Sequence, residues 1–326
     1  MAKVVLGLGT SHSPMLSTPP DVYPLHAERD MANPELLGPD GEMYTFEELV
    51  ARYGKRAEKV TMDKWQARHE ASQRAIDKVG EVLAEAQPDA VVVVGDDQEE
   101  FFFDDNRPAI SIFWGDHITN RPHDFSKLPP SFRPAAWAWY AEQGEDYACV
   151  PELGEHIIQR LIDEEFDLAH TRVQGEDLSV GHAFSFVARR VMKDKRVPMV
   201  PVMLNTYYPP NQPTASRCYR FGQAVRRAID AWDSDKRVVV MASGGLSHFV
   251  VLEDFDHMMI DAMKDKDVHT LTGQSEKMFQ SGTSEIKNWI ATAGALEDRQ
   301  FELIEYVPGY RSSAGTGGGW TWAVWK

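Results

Sequence analysis

Three apolar runs stop abruptly at side chains able to bind a metal or move a proton. Residues 3–9 run into Thr10-Ser11-His12-Ser13-Pro14, and residues 90–95 into Asp96-Asp97-Gln98-Glu99. Residues 238–242 run into Ser243-Gly244-Gly245-Leu246-Ser247-His248. Imidazole is a common metal ligand and exchanges its proton near neutral pH. Carboxylates are metal ligands too, so a histidine and a carboxylate brought together could hold an ion. Two further residues carry the same potential. His182, in Val180-Gly181-His182-Ala183, stands at the start of an expected helix, whose dipole disfavours its protonated form. A neutral imidazole there can ligate a metal or accept a proton. Glu285, in Gly282-Thr283-Ser284-Glu285, stands in the first turn of another expected helix, with Thr283 or Ser284 as cap. The helix dipole alone would account for a carboxylate at that place.

These residues need elements to aim them. Short β-branched runs read as strands buried on both faces. In open α/β sheets, chemistry gathers at the carboxyl ends of such strands. His12, the Asp96–Asp97 pair and His248 are therefore expected around one cleft, with the glycines before His248 permitting close backbone approach. Further strands are predicted at residues 109–114, 199–204, 301–307 and 319–325. Pro201 marks the 199–204 strand as an edge or irregular one. Helical spacing predicts helices over residues 62–86, 151–163 and 213–232, after His182, and through most of the stretch to Ala295. The fold class is α/β: a single-domain α/β/α sandwich over residues 1–326 with a mixed central sheet. A Pro-rich insertion at about residues 13–60 contains a short helix capped by Thr45. So long an excursion between strand and helix predicts a lid or an interface.

Composition narrows the function. Of 326 residues, 43% are hydrophobic and 26% charged, ordinary values for a water-soluble globular protein. A net charge of −16 argues against a nucleic-acid partner, which would need concentrated Lys and Arg. No run approaches the roughly 18 apolar residues of a membrane span. The N-terminus lacks the pattern of a secretory signal. Cys149 and Cys218 have no metal-like spacing and read as free thiols in a reducing, cytoplasmic setting.

Taken as a set and in this order, His12 in Gly-Thr-Ser-His-Ser-Pro, His182 in Val-Gly-His-Ala, His248 in Ser-Gly-Gly-Leu-Ser-His and Glu285 in Ser-Glu-Ile-Lys-Asn-Trp resemble the class III extradiol ring-cleavage dioxygenases, the family of protocatechuate 4,5-dioxygenase. The resemblance extends from Val4 to the Gly-rich segment 315–319. The Asp96–Glu99 segment and the insertion look most like the branch acting on methoxylated catechols such as 3-O-methylgallate. The resemblance implies a mononuclear Fe(II), a small catechol-type aromatic substrate and O2. It implies His12 and Glu285 as iron ligands, His248 as the acid/base for a substrate hydroxyl, and His182 as a second histidine near the substrate. A homodimer, or a small helical partner subunit over the site, is also implied; the insertion could take that subunit's place.

The chain departs from the family at one point. Where a second iron-binding histidine should follow the strand, it carries Asp97 and Gln98. Asp97 is the favoured third ligand. Gln98 or Glu99 after a shift of the loop, or His26 or His69 from elsewhere, are the alternatives. Arg311 and Thr316, in the Gly-rich C-terminal loop, are candidates for a substrate carboxylate or hydroxyl. Phe101 to Phe103, Trp114, Trp137 and Trp139 could sandwich a ring, although such clusters also serve as plain core. Two other functions fit the same residues: a Zn or Mn hydrolase or lyase using metal-activated water, and a non-catalytic family member that binds a partner.

Overall fold

Residues 91–94 are four consecutive valines, all buried. Val92 and Val94 join one hydrophobic cluster and Val91 and Val93 another. Alternate side chains of a strand point to opposite faces, so this strand is covered on both. The computed structural model, which describes residues 1–326, builds the rest around it.

The chain opens with β1 (Lys3–Thr10), followed by the insertion: α1 (Tyr23–Asp30), the small hairpin β2 (Leu36–Leu37) and β3 (Met43–Tyr44), and α2 (Phe46–Tyr53). Then come α3 (Met62–Ala86), β4 (Ala90–Asp96), β5 (Ile110–Phe113), the hairpin β6 (His117–Asn120) and β7 (Glu145–Ala148), α4 (Pro151–Asp163) and β8 (Ala169–Thr171). The second half holds α5 (His182–Phe186), β9 (Met199–Leu204), α6 (Ala215–Ala231), β10 (Arg237–Ser243) and β11 (His248–Val250). It ends with α7 (Glu253–Asp265), α8 (Val268–Gly273), α9 (Ile286–Ala295), β12 (Phe301–Pro308) and β13 (Thr316–Trp325).

Nine of these strands form one mixed sheet in the order β11-β13-β1-β10-β4-β9-β5-β8, with β12 also on β13. The central four, β1, β10, β4 and β9, are parallel. Helices α4, α6, α7, α8 and α9 cover one face, and α3 and α5 cover the other, giving the expected α/β/α sandwich. A register shift between Val4 and Leu6 sends Val4 to one cluster and Leu6 and Leu8 to the other, although both numbers are even. No helix is long and apolar enough to cross a membrane. Both cysteines are free and buried.

Three local expectations change. The 199–204 strand lies inside the sheet, between β4 and β5. Its ladder to β5 ends at Val202, so Pro201 lacks a donor only where that pairing has stopped. The helix after His182 continues through Val187–Met192 as a π-helix. Residues Ser281–Glu285 form a 3-10 turn leading into α9, and neither Thr283 nor Ser284 caps it. Thr283 instead clamps the backbone of His248, accepting its N–H at 3.0 Å and donating to its carbonyl at 2.8 Å.

The insertion is ordered by specific contacts. Thr45 and Glu48 form the reciprocal capping box that starts α2. Arg190 reaches from the π-helix to the carbonyl of Leu16 at 3.0 Å and to Gln73 at 2.6 Å. Asp30, at the end of α1, holds Arg311 through two hydrogen bonds of 2.5 and 2.7 Å.

Candidate active site

Parallel pairing brings the carboxyl ends of β1, β10 and β4 to one edge of the sheet. Thr10 lies beside Ser243 in the β1–β10 ladder, and Asp96 is the last residue of β4. His12 follows β1 by two residues, the turn before α9 presents Glu285, and α5 presents His182 from the opposite layer. One ligand atom each from His12, Asp96, His182 and Glu285 lies within 4.8 Å of the others.

The hydrogen bonds fix where the imidazole protons sit. Ser243 Oγ donates to the Ala183 carbonyl at 2.7 Å, so it must accept from His12 Nδ1, 3.0 Å away. With that proton committed, His12 turns Nε2 toward Glu285 Oε2 at 3.1 Å and His182 Nε2 at 3.2 Å. Glu100 holds Nδ1 of His182 at 2.5 Å and also accepts its backbone N–H at 3.0 Å. His248 donates from Nδ1 to the Leu246 carbonyl at 2.9 Å and sets Nε2 2.9 Å from Glu285 Oε1. All three rings thus commit Nδ1 to an acceptor and aim Nε2 inward. A partner on one ring nitrogen is what determines the role of the other.

Charge reinforces the pattern. Burial alone would raise the Glu285 carboxyl, but His248 and His12 hold it well below the usual range. The Gly245 amide donates to its Oε2 at 2.8 Å. Burial opposes protonation of His182, yet Glu100 pushes it up to about 10. This reverses the expectation from the helix dipole: α5 spans five residues, and a carboxylate in contact outweighs its end. Burial likewise opposes protonation of His248, and Glu285 raises it. Asp96 is fully enclosed, and burial together with Glu285 raises its carboxyl. A Cβ at Gly282 would stand 2.3 Å from the His248 ring, so only glycine lets that ring settle against the turn.

His12, His182, His248 and Glu285 come together around a cavity of about 660 Å³. Asp97 does not join them. Its two carboxylate oxygens accept the backbone N–H groups of Phe101 and Phe102 at 2.8 and 3.0 Å, closing the turn after β4. Gln98 does enter the cluster, with Nε2 at 2.9 Å from Asp96 and 3.1 Å from Glu285. Glu99 lines the cavity but pairs with Arg107 at 2.6 Å. His26 lies buried near Thr18, and His69 contacts Tyr23; neither lines the cavity. Arg311 does line it, but its guanidinium is taken by Asp30. Thr316 is buried against Ser312, off the cavity wall.

Of the aromatic candidates, Trp139 lines the cavity, while Phe101 packs in the core against Phe113. Phe103 and Trp137 are largely exposed. The other aromatic lining residues, Phe132, Tyr140, Tyr207, Phe249 and Trp320, carried no sequence signal of their own. Asp96 stood in the strand-end motif, but periodicity cannot tell which of two adjacent aspartates turns inward. Glu100 carried no signal beyond its neighbourhood.

A family model described as "Catalytic LigB subunit of aromatic ring-opening dioxygenase" matches residues 59–318. His12 and most of the insertion precede that match. A gallate dioxygenase of Pseudomonas putida is 39% identical over 101 residues, covering 30% of this chain and 28% of the relative. A 2,3-dihydroxyphenylpropionate/2,3-dihydroxicinnamic acid 1,2-dioxygenase of Photorhabdus laumondii subsp. laumondii is 31% identical over 147 residues, covering 43% of this chain and 42% of the relative. The aligned part is thus less than half the length of either relative.

Proposed function

The chain belongs to the family of catalytic LigB subunits of aromatic ring-opening dioxygenases, and we propose that it opens catechol-type rings with O2 at a ferrous ion held by His12, His182 and Glu285. Two histidines and one carboxylate on one face of the ion, with the other positions open, are the donor set of non-haem Fe(II) oxygenases. His12 Nε2 lies 3.1 Å from Glu285 Oε2 and 3.2 Å from His182 Nε2, close enough that the three donors could hold one ion. Where the strand-end motif carries Gln98 in place of a histidine, His182 supplies the second imidazole from α5. Asp96 Oδ1, 4.0 Å from His12 Nε2, lies behind these donors and off the cavity wall. It would anchor the set from beneath, in company with Gln98 and Asn288.

When bound, ferrous iron would supply the electron transfer between catechol and O2 that side chains cannot. The chain's own residues bind, orient and move protons. Glu285 holds the His248 Nε2 proton through its charge. Once that charge is neutralised, Nε2 can take up a substrate hydroxyl proton and later return it to the opened product. Trp139, Phe132, Tyr140 and Trp320 wall the cavity, sandwiching a planar ring and excluding water. Arg29, Ala32 and Asn33 of the insertion form another wall, so no partner subunit is needed on that side.

The single observation that carries the reading is the convergence of these inward-facing Nε2 atoms and Glu285 on one aromatic-walled cavity. The test is anaerobic loading with Fe(II), then oxygen uptake with gallate, 3-O-methylgallate, protocatechuate and catechol. Oxygen consumed one-for-one with a yellow ring-opened product is expected. Full iron occupancy with no uptake on any catechol would overturn it, and turnover independent of O2 would favour a hydrolase or lyase.

A further inference from the structure

Every charged group lining the cavity has a partner within the protein except one. Glu285 is held by His12 and His248, Glu100 by His182, Glu99 by Arg107 and Arg311 by Asp30. The remaining one is Arg29. It sits in the last turn of α1, beside Asp30, whose carboxylate is fully engaged by Arg311. No ion pair or side-chain hydrogen bond ties its guanidinium to the protein. The guanidinium carbon instead lies 4.2 Å from the ring centre of Phe132, and both residues line the cavity.

We propose that Arg29 recognises a carboxylate on the aromatic substrate, so that the insertion, and not the Gly-rich C-terminal loop, selects carboxylated catechols. The proposal rests on the ring-opening reading for what the rest of the substrate does. Burial and the neighbouring Arg311 lower Arg29 to about 10, which leaves it charged at neutral pH. A half-buried cation without a counter-ion is costly, and an anionic ligand would relieve that cost. Stacking on Phe132 holds the guanidinium plane still and leaves its N–H edge for two parallel bonds to a carboxylate. The cavity is ample for a substituted benzoate. Arg311, whose sequence position marked it for this task, instead fixes the end of α1 through Asp30, and so holds Arg29 at the cavity wall.

Arg29→Met and Arg29→Lys test this. The readout is the ratio of kcat/KM for protocatechuate to that for catechol. Arg29→Met is expected to lower the ratio by about 10- to 100-fold, the range of a charge-assisted hydrogen-bonded contact. Arg29→Lys should restore part of it, since an ammonium keeps the charge but lacks the fork. An unchanged ratio overturns the proposal. Binding without turnover separates it from the ring-opening reading. Trp139 and Trp320 line the cavity, so their fluorescence can report binding of 3-hydroxybenzoate and phenol to the metal-free protein. Arg29→Met should reduce the affinity for 3-hydroxybenzoate relative to phenol by about tenfold or more. If it does so in a protein that never consumes O2, the ring-opening reading fails and the role of Arg29 stands. If relative affinity is unmoved, the role of Arg29 fails whatever the oxygen electrode records.

Discussion

Ser243→Ala should weaken metal binding without removing any ligand. In the native site Ser243 Oγ gives its proton to the Ala183 carbonyl, which obliges it to accept from His12 Nδ1. That bond keeps the His12 proton away from the ion and Nε2 free to ligate. Alanine removes the acceptor in a site where Ser243 is fully buried, so His12 Nδ1–H and the Ala183 carbonyl both lose their partner. The imidazole can then move its proton to Nε2, where Glu285 Oε2 waits 3.1 Å away to accept it. Loss of a partner that orients a metal-binding histidine typically costs 10- to 100-fold in metal affinity. At about 1.4 kcal/mol per decade, that is about 1.4–2.7 kcal/mol. The two lost hydrogen bonds should also lower folding stability by about 2 kcal/mol. The assay is anaerobic competition for Fe(II), and for Co(II) as a stable substitute, against a coloured chelator. Circular dichroism and urea unfolding check that the variant is folded. A folded Ser243→Ala protein that binds both ions within twofold of wild type would refute the proton assignment on which the ligand set depends.

Other outcomes follow from the same geometry. His182→Ala should lose bound iron, whereas Asp97→Asn should keep it and lose stability, because Asp97 serves two backbone amides; metal analysis of both purified variants decides, and the reverse pattern would restore Asp97 as ligand. In the metal-free protein, the His182–Glu100 pair should stabilise the fold fully between pH about 4.5 and about 6.5, losing that contribution as pH rises through about 10 or falls toward about 2. The difference in unfolding free energy between wild type and His182→Gln, measured across that window, should therefore shrink; a flat difference would contradict the pairing. Gly222→Ala should destabilise by about 3 kcal/mol, because a Cβ there would stand 1.8 Å from the Ala291 carbonyl where α6 crosses α9; an unchanged urea midpoint would show that the two helices can part freely.

The apolar runs were sufficient to place β1, β4 and β10, since burial on both faces leaves a continuous β-branched signature that needs no knowledge of neighbours. The 25 residues of α3 were equally legible, because Trp65, Ile76, Val79 and Leu83 recur at helical spacing. The histidines at strand ends and the glycines before His248 pointed to the site for the same local reason. What the sequence could not determine was which neighbour each polar group would meet. Asp96 ends β4 and Asp97 opens the turn after it, and only the amides of Phe101 and Phe102 show which of the two faces away from the site. His182 looked neutral beside a helix end until Glu100, 82 residues earlier, came to rest against it. Arg311 looked free until Asp30, 281 residues away, claimed it. Such partners are brought together by the crossovers of the sheet, and a charge takes its role from what it touches. The tertiary structure therefore decided which arginine was left to face the cavity.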